Sequence, residues 1–223
     1  MMFQNREDAG RRLVEQLLPY RECRGALVLA LPRGGVAVGY QVSLGLHLPL
    51  DVFIVRKLGA PDNPEYALGA VGETGTVYWN PDAMRAFSLP QAITNRLVRS
   101  QEEEIVRRQT LYRQHRPFPD ITDRTIILVD DGIATGSTFF ASILSVKALK
   151  PRRLIGAIPV GPADTIREVR AHVDELVVLA TPDPFWAVGN HYVDFSQVDD
   201  REVVEYLNLA EEAVRERAQS SSA

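Results

Sequence analysis

Ile126-Ile127-Leu128-Val129-Asp130-Asp131-Gly132-Ile133-Ala134-Thr135-Gly136-Ser137-Thr138 is the stretch that decides the fold. Its four leading apolar residues, two of them isoleucines, read as a buried strand. Two adjacent carboxylates stand where that strand ends. A short loop of glycine and hydroxyl residues follows, and Phe139-Phe140-Ala141-Ser142-Ile143-Leu144 can start a helix. In an open α/β sheet, ligands bind at the carboxyl ends of strands. Backbone N–H groups at a helix start, helped by Thr and Ser hydroxyls, make an anion site. Carboxylates beside it repel a phosphate and suit sugar hydroxyls or a divalent metal. The stretch therefore asks for a ligand with a phosphate and a ribose, accompanied by Mg²⁺.

Outward from this stretch, apolar runs alternate with helical patterns. Arg6 to Leu18 carries Leu13, Val14, Leu17 and Leu18 at helical spacing and stops at Pro19. Ala26 to Leu31 reads as a buried strand, followed by Pro32-Arg33-Gly34-Gly35 and a helix to about Leu44. Val52-Phe53-Ile54-Val55 is the next strand, and Ala67–Val71 and Thr76–Trp79 flank Glu73-Thr74-Gly75 as a hairpin. A charged helix runs from Pro90 to about His115, with a solvated face and a possible contact to a second copy. After the signature helix, which extends to Lys150, come a strand at Leu154–Pro159, a helix at Ala163–Ala171, a strand at Leu176–Leu179 and a helix from Asp200 to Arg217. This order predicts an α/β fold: a doubly wound, mostly parallel sheet flanked by helices. One domain over 1–218 is expected, with a flexible loop and helical insertion over about 60–118, a small hood over about 183–200, and a disordered tail at 219–223.

Composition narrows the class. The 223 residues carry 45% hydrophobic residues, ample for a core, and a net charge of −4, which disfavours wholesale nucleic-acid binding. One cysteine, Cys23, excludes an intrachain disulfide and a Cys-based zinc site and fits a reducing compartment. No apolar run reaches membrane-spanning length, and the first residues lack a signal peptide's apolar core. A cytoplasmic protein without a membrane partner is the expectation.

The thirteen-residue stretch resembles the signature that binds phosphoribosyl diphosphate (PRPP) in type I phosphoribosyltransferases: an apolar strand, two acids, spacers, then Thr-Gly-Ser-Thr. The resemblance implies that Asp130 and Asp131 bind the ribose hydroxyls and lie near Mg²⁺, mainly through PRPP and water. It implies that Ala134, Thr135, Gly136, Ser137 and Thr138 wrap the 5′-phosphate. Pro32-Arg33-Gly34-Gly35 resembles the family's pyrophosphate loop, in which many relatives carry a cis non-proline peptide, here Pro32–Arg33. Two glycines let backbone approach a ligand, and Arg33 offers bidentate donors to a phosphate. Arg56 and Lys57 close the next strand, where relatives place basic residues against pyrophosphate. Asp62-Asn63-Pro64-Glu65-Tyr66 matches the position of a flexible lid that excludes water, with Glu65 a catalytic candidate.

The acceptor side gives two signals. Pro184-Phe185-Trp186-Ala187-Val188-Gly189-Asn190-His191-Tyr192-Val193-Asp194-Phe195 resembles the segment of 6-oxopurine phosphoribosyltransferases whose aromatic residue stacks on the purine. That assigns stacking to Trp186 and a place near base or metal to Asp194. Against it, Ala134 stands where the 6-oxopurine enzymes carry an acid, and resembles the adenine-type signature instead. The expected activity is transfer of ribose-5-phosphate from PRPP to a nitrogenous base, a purine favoured, with release of pyrophosphate, in nucleotide salvage. Asp130, Asp131, Arg33, Lys57 and Glu65 would carry it. The alternative is a non-catalytic protein that binds PRPP and regulates a partner.

Overall fold

The computed structural model describes residues 1–114 and 116–220, with Pro64 and Glu65 described in backbone only. Its elements are α1 (Arg6–Leu17), β1 (Ala26–Ala30), α2 (Gly34–Leu46), β2 (Leu50–Val52), β3 (Val55–Ala60), β4 (Asn63–Gly72) and β5 (Val77–Trp79). There follow α3 (Pro81–Phe87), α4 (Gln91–Arg113), β6 (Thr125–Val129), α5 (Ser137–Ala148), β7 (Arg153–Val160), α6 (Ala163–Arg170), β8 (Glu175–Ala180) and α7 (Asp200–Ser220).

Five strands pair in parallel in the order β2-β1-β6-β7-β8. Both faces are covered, which is why these strands read as unbroken apolar runs rather than alternating ones. Leu27, Leu29, Ile126, Leu128, Leu154 and Ile158 pack against Phe139, Ile143 and Val146 of α5 and Ile166 and Val169 of α6. One residue out of step, Val28, Ile127, Val129, Ile155 and Ala157 meet Leu13 and Leu17 of α1 and Val38 and Val42 of α2. The chain runs from β1 outward to β2 on one side, while β6 lies on the other side of β1. The carboxyl ends of β1 and β6 therefore flank a topological switch point, where open α/β sheets bind ligands.

The doubly wound fold stands as expected, with local differences. The apolar run Val52–Val55 is two strands, not one. Phe53 N–H donates to Ala30 O at 2.9 Å, the last link to the parallel sheet. Ile54 N–H then donates to Glu73 Oε1 at 2.8 Å, and Val55 enters a separate antiparallel sheet, β3-β4-β5. Because all four residues are buried, hydrophobicity carries no sign of the break.

Asp62–Tyr66 is not the loop that its composition suggests: β4 already begins at Asn63, opposite Ala60 of β3. The Glu65 side chain lies outside the described residues. α3 is an addition to the expected elements; Asn80 caps it by accepting from Asp82 N–H and Ala83 N–H at 3.0 and 3.1 Å, with Pro81 at the first helical position. At the other end, α7 continues through Gln219 and Ser220, the start of the expected disordered tail; residues 221–223 lie outside the described residues. Among the described residues, no helix is long and apolar enough to cross a membrane.

The charged face of α4 is also less solvated than its pattern suggests. Arg113 is buried and donates to Asp51 Oδ1 at 3.0 Å, to Glu73 Oε1 and Oε2 at 2.9 and 2.5 Å, and to Val52 O at 2.5 Å. It ties α4 to the point where the chain leaves one sheet for the other. The neighbouring Tyr112 is buried too, and its hydroxyl donates to Asp200 Oδ1 at 2.6 Å.

Candidate active site

β6 delivers Asp130 and Asp131 to the carboxyl edge of the sheet. Asp131 N–H donates to Asp130 Oδ1 at 2.9 Å, so the first carboxylate caps the turn that the second one starts. Gly132 (φ +155°) and Gly136 (φ +75°) take backbone conformations that side chains disfavour. Ile133 N–H donates to Val160 O at 2.9 Å and pins the loop between them, while Thr165 Oγ1 donates to Ala134 O at 2.9 Å. α5 then starts at Ser137. Asp130, Gly132 through Phe139 and Val188 line one cavity of about 260 Å³. The signature residues Asp130 and Ala134–Thr138 are thus gathered around a single space.

The peptide Pro32–Arg33 is cis. The glycines that follow have a reason that sequence reasoning missed. A Cβ on Gly34 would stand 1.9 Å from Asp131 Oδ2, and one on Gly35 would stand 3.0 Å from Asp130 Cα and Oδ1. Glycine there gives the acid pair its seat, whatever else it offers a ligand. A second missed residue is Arg6, on the first turn of α1. Its Nε donates to Asp131 Oδ2 and its Nη1 to Ser196 O, both at 2.7 Å, and its guanidinium lies 3.9 Å from the centre of the Phe195 ring. An Arg on a charged surface helix carries no local mark of such a role.

Burial pushes the Asp130 carboxyl well above its ordinary value, and the neighbouring Asp131 adds to the effect. Burial also raises Asp131, with the Arg6 guanidinium pulling the other way. Tyr192, whose hydroxyl donates to Asp131 O at 2.5 Å, is raised by burial and then by the Asp131 charge. Two carboxylates are hard oxygen donors that suit Mg²⁺, a cation usually bound by one or two protein carboxylates plus substrate phosphates. Among the described residues no three His, Cys, Asp or Glu side chains cluster as a self-sufficient metal site. The pair therefore fits a metal brought with a phosphorylated ligand.

Arg33 leads into a wider charged group. Its Nη1 lies 4.0 Å from Asp200 Oδ1; Asp200, the first residue of α7, also accepts from Arg107 Nη2 at 3.3 Å and from Tyr112. Burial works against the Asp200 charge, yet the Tyr112 and Arg107 hydrogen bonds hold it below the usual carboxylate range. Glu104 accepts from both Arg107 and Arg108 and is held down at about 2, chiefly by Arg107. Arg56 is lowered by burial and then by the charge of Arg108. Arg56 and Lys57 lie on β3 in the second sheet, and line a separate cavity of about 390 Å³ with Gly59, Ala60, Pro61, Leu97 and Gln101. They do not line the cavity of the signature loop.

On the acceptor side the expected residues are spread apart. Val188 reaches the cavity; Trp186 does not line it, and is 79% exposed. Phe185 stacks instead on His191, with ring centres 5.4 Å apart. Asp194 faces solvent and accepts from Ser196 N–H and Oγ at 2.9 and 2.5 Å, which holds its carboxyl below the usual range.

Known proteins share this arrangement. The phosphoribosyl transferase domain model matches residues 3–194. Two curated relatives from Mycobacterium tuberculosis, named "Putative phosphoribosyl transferase MT0597" and "Putative phosphoribosyl transferase Rv0571c", are each 42% identical over 209 residues, 94% of this chain and 47% of theirs. The chain thus spans about half the length of those relatives. The crystal structure of TT1426 from Thermus thermophilus superposes with a TM-score of 0.79 at 40% identity, covering 93% of this chain and 98% of that one. The fold, the gathered signature loop and these relatives lead to one conclusion: this chain belongs to the phosphoribosyl transferase family.

Proposed function

We propose that the protein transfers ribose-5-phosphate from PRPP to a nitrogenous base, a purine favoured, and releases pyrophosphate. The observation that carries this reading is the single cavity formed by Asp130 and the Gly132–Phe139 loop at the switch point of the sheet. Backbone N–H groups at the start of α5, with Thr135, Ser137 and Thr138, hold the 5′-phosphate. Asp130 and Asp131 accept the ribose 2′- and 3′-hydroxyls, and Arg33 faces the diphosphate with Gly34 and Gly35, supported from the second sheet by Arg56 and Lys57. Asp130 and Asp131 would hold Mg²⁺ brought with PRPP, mainly through PRPP and water, and the ion would supply charge neutralisation for the departing diphosphate. As the C1–O bond breaks, positive charge develops on the ribose ring; the base nitrogen forms the new bond to C1 and its proton passes to solvent. Fixed orientation of the two reactants, rather than a covalent nucleophile, supplies the rate. Glu65 is the candidate acid on the β3–β4 hairpin, Trp186 the surface on which the base stacks, and Asp194 an acid at the acceptor rim. The activity suits nucleotide salvage.

Ala134 favours a second reading, regulation by PRPP binding alone, because it lines the cavity and cannot move a proton. One experiment separates the two. The protein is incubated with PRPP, Mg²⁺ and a panel of purine and pyrimidine bases, and pyrophosphate release is followed with and without a chelator. Release with one base, abolished by the chelator, supports transfer. Tight PRPP binding without release supports regulation, and absence of PRPP binding defeats both.

A further inference from the structure

Arg6 is the most heavily engaged side chain at the site, and the proposed chemistry does not use it. Its side chain is 11% exposed. One guanidinium joins three parts of the site. Nε holds Asp131 of the acid pair, Nη1 holds the Ser196 carbonyl, and the flat face lies on Phe195. A Cβ on Gly34 would come within 2.7 Å of Arg6 Nε, so the ion pair also rests on the loop that follows Pro32. The chain around Arg6 extends the same connection. Phe3 N–H donates to His191 O, Val193 N–H to Phe3 O, and Asp194 N–H to Gln4 O, at 2.8, 2.8 and 2.9 Å. The segment that carries Val188, Tyr192 and Phe195 is thereby laced to the residues just before α1. Stability alone is a weak reason to keep such a pair, since buried ion pairs are often no better than apolar packing.

We propose that Arg6 is a positioning residue for the transfer site: it aims Asp131 at the ribose and locks the acceptor-side segment against the acid pair. The proposal rests on the phosphoribosyl reading above. In it, ribose hydroxyls donate to carboxylate oxygens, which must be held in one orientation to meet both hydroxyls. Arg6 Nε holds Asp131 Oδ2, which also packs against Gly34, and so fixes the direction in which the carboxylate points. The charged or titratable groups that bear on this ion pair are Asp130 beside Asp131, Tyr192, and Asp194, which feels the Arg6 charge. On α2, Gly34 and Gly35 lie against the acid pair. Arg6 is therefore the one cation paired with the acids among the described residues.

The test compares the native protein with Arg6→Gln and Arg6→Lys, after circular dichroism has shown each to be folded. PRPP with Mg²⁺ is titrated by calorimetry at neutral pH, and inorganic pyrophosphate with Mg²⁺ is titrated in parallel as a probe that lacks the ribose. For Arg6→Gln the expectation is PRPP binding weaker by about tenfold or more at neutral pH, as for loss of a charge-assisted hydrogen bond. Pyrophosphate binding should change by less than about twofold, because Arg6 acts on the sugar side. Arg6→Lys, which keeps the charge but cannot reach Asp131 and Ser196 with a planar fork, should recover part of the PRPP affinity. Equal PRPP affinity in Arg6→Gln would overturn the proposal, as would parallel losses of PRPP and pyrophosphate. If the native protein binds neither compound, the phosphoribosyl reading itself fails.

Discussion

Asp130 occupies a place that favours its protonated form, and this has a consequence for stability as well as binding. Its ordinary value is 3.8, and burial beside Asp131 raises it well above that in the folded chain. Between those two values the folded protein holds a proton that the unfolded chain has lost, so stability falls as pH rises through that window. Above it the deficit is fully present. Asp130→Asn, which can still accept from Asp131 N–H, should therefore raise the stability of the unliganded protein at neutral pH, on the order of 1 kcal/mol, while weakening PRPP binding. Urea unfolding at several pH values would check both the sign and the flattened pH dependence. Gly34 makes a different prediction. A methyl group there meets Asp131 Oδ2 and Arg6 Nε, both fixed by their ion pair, so Gly34→Ala must displace the acid it packs against. PRPP affinity by calorimetry should fall by about tenfold or more, beyond what the small change in thermal midpoint explains.

At the scale of elements, α4 shows why charge on a helix is a poor guide to exposure. Arg107 and Arg113 stand on the same charged pattern, yet Arg107 is half exposed and Arg113 is 4% exposed between Asp51 and Glu73. Breaking that network by Arg113→Ala leaves two buried carboxylates without their cation and should cost about 3–5 kcal/mol in urea unfolding. Arg113→Met together with Glu73→Gln should cost less, since Asp51 alone is then left without its cation. The same network explains what was legible in the sequence. β1, β6, β7 and their helices are readable because local hydrophobic pattern and strand-end glycines agree there. The division of Val52–Val55 is not, because Glu73, nineteen residues away, takes the Ile54 N–H. Gly34 stands out in the sequence, but for a ligand rather than for Asp131. Arg6 leaves no mark at all, since its partner is 125 residues distant.

For the whole molecule, the two tryptophans report on different events. Trp79 packs against the core shared by β2, β3, α4 and α7, whereas Trp186 stands in solvent in the segment after β8. Collisional quenching by acrylamide should reach Trp186 and largely spare Trp79; a Trp186→Phe variant assigns the two contributions. If Trp186 receives the base, PRPP plus the true acceptor should shield the quenchable component while PRPP alone leaves it open. Unchanged quenching with a base that is turned over would remove Trp186 from the site. The core around Trp79 also draws α7 into the same body as the sheet, through Val203 and Leu207 packed with Val52, Ile54 and Val36. α7 lies beyond the residues matched by the family model, yet its first residue reaches Arg33.

The contact between Gly132 and Val188 carries one more consequence. A Cβ on Gly132 would sit 2.4 Å from Val188 Cγ1, so the phosphate loop and the acceptor-side segment close on each other only because one of them has no side chain. The loop is fixed by β6 and α5. Val188, by contrast, belongs to a short 3₁₀ turn after the last strand. The signature loop and the segment after β8 are thus separate parts of the chain that meet at a glycine. On the transfer reading, exchanging Pro184–Ala187 among relatives is a way to change which molecule receives the sugar, because Val188, Tyr192 and Phe195, which touch the signature loop, Asp131 and Arg6, stay in place.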